Sequence, residues 1–90
     1  MAAGNELVVA EPAARAIAEE LPEAVAAAVI EFLTGPLIDA PYPVGQELRN
    51  ELAGVYAARR GTFRILYRID DDRREVVVLR VDHRRDLYRA

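Results

Sequence analysis

The sequence contains no cysteine and no lysine, and one histidine, His83. Without cysteine there is neither a disulfide framework nor a thiolate metal site. A lone histidine cannot build a zinc site unless several carboxylates converge on it, so no metal and no other cofactor is expected. Without lysine every cation in the chain is an arginine, a planar fork suited to phosphate, and no amine is available as a general base. No apolar run approaches the roughly 18–20 residues of a membrane span. The first residues lack a charged segment followed by an apolar stretch, so no signal peptide is read. A cytoplasmic chain without membrane contact is the expectation.

What is present is one domain's worth of chain, residues 1–90, with a core just large enough to fold alone. The net charge of −3 argues against nucleic acid, but its distribution argues the other way. Residues 1–54 carry nine acids against two arginines, and residues 55–90 carry six acids against ten arginines. Such asymmetry points to a basic working face on an acidic body.

Residues 5–10 read as a short strand. Pro12 suits the first turn of a helix over 13–21, since its missing N–H is no loss there. Pro22 breaks that helix and opens a second over 23–33, with Val25, Val29, Phe32 and Leu33 near helical spacing. Gly35-Pro36 is expected to stop it, and the proline-rich 36–45 to be a loop. The state of 46–52 is left open. Strands follow at 55–59, 63–69 and 75–81. In the middle one Phe63, Ile65, Tyr67 and Ile69 point one way and Arg64, Leu66, Arg68 and Asp70 the other, the period of a strand with one apolar face. The fold class is α+β: an N-terminal strand, a helical hairpin turning at Leu21-Pro22, then a three- to four-stranded antiparallel sheet carrying the helices on one face. Ile65, Tyr67, Ile69, Val76, Val78 and Val81 are the expected core of the sheet, with Phe63 beside them.

The hairpin of 63–69 and 75–81 gathers Arg64, His83, Arg84 and Tyr88 towards one end of the sheet. A cationic patch with a histidine and a tyrosine suits an RNA phosphodiester. His83 is the one side chain whose ordinary pKa lies near neutrality. In a metal-free ribonuclease it can take the 2′-hydroxyl proton or protonate the leaving group; equally, a lone histidine at a strand end can be structural. Arg59 and Arg60 either grip RNA phosphates or solubilise a strand end.

Three motifs carry a family resemblance: Leu48-Arg49-x-x-Leu52-x-Gly54; Arg59-Arg60-Gly61-x-Phe63-Arg64-Ile65-Leu66-Tyr67-x-Ile69-Asp70; and Val81-x-His83-Arg84-x-x-x-Tyr88-Arg89. In order and spacing they resemble the RelE/ParE toxin superfamily, most of all the RelE-type toxins of actinobacteria. The resemblance implies a microbial-RNase-like fold and the toxin of a type II toxin–antitoxin pair, bound by a RelB-like antitoxin. It implies a metal-free endoribonuclease, an mRNA interferase that cuts message in the ribosomal A site through attack of the 2′-hydroxyl on the adjacent phosphate. It also implies roles: Arg64 stabilises the reacting phosphate, Arg84 (or Arg85 if the alignment carries a gap) is a second such arginine, Tyr88 stacks on a base, and Arg59 and Arg60 bind RNA. The family's general-base position falls on Gln46 here, with Glu47 and Glu51 nearby. The alternatives are a ParE-type inhibitor of DNA gyrase, which is not an enzyme, and a catalytically weak relative.

Overall fold

The computed structural model describes residues 4–83. Its elements run β1 (Glu6–Val9), α1 (Glu11–Arg15), α2 (Glu23–Phe32), β2 (Gln46–Glu47), β3 (Tyr56–Arg60), β4 (Phe63–Asp70) and β5 (Glu75–His83). Pro12 sits in the first turn of α1, which therefore begins at Glu11, two residues before the expected start. Glu11 pairs with Arg15 one turn on, an exposed contact worth a few tenths of a kcal/mol. The helix then widens into a π turn at Ala16–Glu20, and Leu21 is extended ahead of Pro22, as a residue before proline prefers. The helical hairpin turns at Leu21-Pro22 as expected.

Gly35-Pro36 does not stop α2. A helical turn of π type continues through Leu33–Leu37 with Pro36 inside it. In an α-helix the proline ring would crowd the carbonyl four residues back and leave it without a donor. The wider turn relieves that crowding and keeps both Leu33 and Leu37 enclosed in the core.

The sheet has five strands in the order β1-β5-β4-β3-β2. It is larger than expected and not purely antiparallel. β1 lies parallel to β5, Glu6 against Glu75 through Val9 against Val78. The two-residue β2 adds an edge to β3, pairing Gln46 with Ala57 and Glu47 with Tyr56. β3 and β4 are joined by Gly61-Thr62, where Gly61 takes a φ of 56°, the left-handed first position that a two-residue hairpin turn favours.

Both helices pack on one face of the sheet. Ala13, Ala16, Val29, Phe32, Leu33 and Leu37 meet Ala58, Phe63, Ile65, Tyr67, Val76, Val78 and Val81 in a single buried cluster. Full burial of a side chain such as Ile65 is worth about 1.5–3 kcal/mol, so this contact between layers dominates the stability. The uneven spacing of Val76, Val78 and Val81 has a structural cause. Leu66 pairs with Arg80 but Tyr67 with Val78, so the register skips Leu79. This bulge reverses which alternate residues of β5 face the helices. No helix among the described residues is long and apolar enough to cross a membrane.

Candidate nucleic-acid interface

The face of the sheet away from the helices carries the arginines. Residues opposite one another across a ladder share a face. Arg59 of β3 pairs with Arg64 of β4, and Arg64 pairs with Asp82 of β5. The result is a cross-strand row of Arg59, Arg64 and Asp82. Two arginines side by side repel, and the carboxylate on the far side of Arg64 offsets that repulsion.

Asp82 is the one buried charged residue among those described. Its Oδ2 accepts from Arg64 Nη2 at 3.0 Å, and its Oδ1 accepts from Arg80 Nη2 at 2.8 Å. The three side chains differ in exposure: 8% for Asp82, 31% for Arg64 and 64% for Arg80. Arg64 Nε is buried without a hydrogen-bond partner among the described residues. The pair with Asp82 thus occupies one corner of the guanidinium and leaves it a further donor.

Beside Arg64 lies a groove of about 430 Å³, lined by Val44, Gly45, Gln46, Leu48, Ala57, Arg59 and Arg64 among others. Ala57 keeps its floor low, because a larger residue there would fill the space between Gln46 and Leu66. The rim is anchored from the core side. Tyr67, fully buried, donates its hydroxyl to the Pro41 carbonyl at 2.7 Å. Burial, and secondarily the neighbouring Tyr56, push its pKa up to about 12. Gly45 passes directly over that hydroxyl: a Cβ there would stand 2.0 Å from Tyr67 Oη and 3.0 Å from the Ala57 carbonyl. Only glycine allows the rim to run this close to the sheet.

Glu47 accepts from the Gly54 N–H at 2.9 Å. Its charge also contributes, after partial burial, to raising the pKa of Tyr56. It thereby ties the chain before the short helical turn Asn50–Leu52 to the chain after it. Glu51 lies in that turn, exposed and outside the groove lining, while Gln46 and Glu47 both line the groove.

The expected site residues divide as follows. Arg59 and Arg64 share the open face and the groove. Arg60 does not: it pairs with Phe63 on the helix side, and its guanidinium lies 4.7 Å from the centre of the Phe32 ring. His83 is at the same end of the sheet as Arg64, but it pairs with Phe63 and so belongs to the helix-side face. Phe63 and Tyr67 are core residues, as their alternation indicated. Arg84, Arg85 and Tyr88 lie outside the described residues. Sequence reasoning missed Asp82. Strict alternation from Val76 and Val78 would assign it to the helix side, and nothing in the sequence marks the bulge that turns it round.

Residues 7–88 match the family described as the ParE toxin of the type II toxin–antitoxin system parDE. Two toxins of Mycobacterium tuberculosis are similar. Toxin RelG is 57% identical over 76 residues, covering 84% of this chain and 87% of its own length. Toxin RelE is 44% identical over 71 residues, covering 79% and 73%. In the crystal structure of the RelBE2 toxin–antitoxin complex from the same organism, one chain superposes with a TM-score of 0.87 at 49% identity, over 90% of this chain and 99% of that one. A chain of the Escherichia coli RelBE toxin–antitoxin complex shares the fold, with a TM-score of 0.71 at 21% identity, over 88% and 95%.

Proposed function

The chain belongs to the ParE toxin family of type II toxin–antitoxin systems, with RelE-type toxins among its relatives, and from that premise we propose that it is a ribosome-dependent endoribonuclease that cleaves messenger RNA. The observation that carries this reading is the pair Arg59 and Arg64, side by side on the open face and lining one groove. Cleavage forms a bond between the 2′-oxygen and phosphorus and breaks the bond from phosphorus to the 5′-oxygen. The 2′-hydroxyl loses a proton and the 5′-oxygen gains one. Arg64 donates to the non-bridging oxygens as their charge grows. Arg59 holds a neighbouring phosphate, and Arg60, on the other side, serves the toxin's contact with ribosomal RNA.

The proton steps fall to His83. Gln46 does not titrate, and Glu47, which also lines the groove, accepts from the Gly54 N–H through one of its two oxygens. His83 lies on the opposite face at the same end of the sheet, so its part depends on the message passing around the strand end. Arg84 supplies a second cationic fork and Tyr88 a stacking surface for a base. Fixing the attack geometry on the ribosome contributes roughly 7–11 kcal/mol at best, which lowers the demand on acid–base groups of the toxin itself. A RelB-like antitoxin with acidic side chains covers the Arg59–Arg64 face and silences the toxin in the cell.

The test is primer extension on ribosome-engaged message with Arg64→Ala, its folding checked by thermal melt. Loss of cleavage is expected. Full cleavage by a folded Arg64→Ala protein removes the assignment. Inhibition of DNA gyrase without message cleavage would favour the ParE-type reading, to which the net charge of −3 lends some weight.

A further inference from the structure

A carboxylate enclosed between two arginines is a weak source of stability, since desolvation offsets most of the attraction. Asp82 therefore calls for another account. Without the bulge at Leu79, the register that pairs Tyr67 with Val78 would set Arg64 against Val81 and turn Asp82 to the helix side against Phe63. The bulge re-aims Asp82 onto the open face, directly opposite Arg64, as bulges beside working sites commonly do. The contacts are also unequal in kind. Arg80 is largely exposed and can swing into water, whereas Arg64 is mostly enclosed and bonded through Nη2.

We propose that Asp82 is the positioning residue of the arginine face: its buried carboxylate holds the Arg64 guanidinium by one corner, so that the remaining donors meet an RNA phosphate in the groove. This rests on the reading of Arg64 as the group that holds the reacting phosphate. Asp82 touches no substrate. It fixes the orientation of the fork before the phosphate arrives, and Arg80 keeps the carboxylate from neutralising Arg64 in full.

The experiment measures single-turnover cleavage of ribosome-engaged message against ribosome concentration, for Asp82→Ala, Asp82→Asn and Arg64→Ala, each with a thermal melt. The saturated rate of Asp82→Ala should fall about 10²-fold, the scale of a misplaced group, with the half-saturating ribosome concentration unchanged. Asp82→Asn should recover most of that loss, because its amide oxygen still accepts from Arg64 while Arg80 moves to solvent. A variant carrying both Asp82→Ala and Arg64→Ala should be no slower than Arg64→Ala alone. A folded Asp82→Ala protein with the parental saturated rate overturns the proposal. So does one that loses ribosome affinity while its saturated rate is kept. If the alanine variant does not fold, Asp82→Glu decides: its extra methylene displaces the guanidinium and should lower the saturated rate, and a parental rate overturns the proposal. Parental cleavage by Arg64→Ala brings down the reading of Arg64 and this inference with it. An inactive Arg64→Ala beside a parental Asp82→Ala removes the inference alone.

Discussion

On the helix side of the sheet Ile65, Tyr67, Val76 and Val78 are completely enclosed. One residue along each strand, on the other side, Arg64, Leu66 and Val77 keep partial contact with solvent, with Arg68 and Arg80 exposed. The two faces are built from interleaved residues of the same two strands and differ in what holds them. The closed face is held by burial, which is non-directional and spread over many contacts. The open face is held by a few directed bonds among Arg64, Asp82 and Arg80. Substitution on the closed face should therefore be read in stability, and substitution on the open face in activity.

The sharpest test sets two adjacent residues against each other. Arg64→Ala should abolish message cleavage, by at least about 10²–10³-fold for the loss of a charge-stabilising donor group, in a protein that still folds, with a melt lowered by the loss of one of the two partners of Asp82. Ile65→Ala should lose about 2–5 kcal/mol of stability in denaturant titration, because it leaves a cavity against α1 and α2. Activity lost through instability alone in Arg64→Ala would break the division.

His83→Ala tests the same division at the sheet's end. Its place on the helix-side face leads to a smaller effect than that of Arg64→Ala. The expected fall is about 10²-fold, the lower end for a lost acid or base, read by primer extension. Parental activity would spare the arginine site and leave Glu47, Glu51 or the ribosome as the proton acceptor.

The rim of the groove links the two faces through Tyr67 and Gly45. Gly45→Ala should cost about 1–3 kcal/mol by overpacking. Tyr67→Phe should relieve part of it, since the atom at 2.0 Å is the hydroxyl oxygen. The hydroxyl also carries a pH signature. Its pKa is raised in the folded state to about 12, so its contribution to stability is complete below its ordinary value near 10 and is lost as the pH climbs towards 12. The stability of the parent in chemical denaturation should fall over that window by more than that of Tyr67→Phe, which lacks this hydroxyl.

Much of the closed face was legible in the sequence because alternation is a strong local signal. Phe63, Ile65 and Tyr67 announce their side, and the helical pair follows from two prolines and an alanine-rich amphipathic run. The parallel docking of β1 was not legible, since a four-residue strand carries no mark of its partner. Nor was the continuation of α2 through Pro36, where tertiary burial of Leu33 and Leu37 outweighs the local breaker. The open face was half legible. Arg64 could be found by parity and resemblance, but Asp82 could not, because one skipped residue at Leu79 reverses the parity beyond it.

Arg59 and Arg60 offer the finest version of the comparison. They are adjacent in sequence and identical in chemistry, so composition cannot separate them. The ladder does: Arg59 stands opposite Arg64 on the open face, and Arg60 stands opposite Phe63 with its guanidinium over Phe32. A phosphate contact made by Arg59 releases counterions, so Arg59→Ala should weaken message binding a few-fold and reduce the slope of log affinity against log salt by about 1. Arg60→Ala should leave the slope for free single-stranded RNA unchanged and instead lower stability by about 0.5–1 kcal/mol through the lost contact with the ring. Filter binding across a salt series and a denaturant titration read the two effects independently. Equal salt slopes for the two variants would mean that the faces do not divide the RNA contact as the ladder does. A stability loss confined to Arg59→Ala would mean that repulsion with Arg64 is more than offset by bonds made from Arg59 itself.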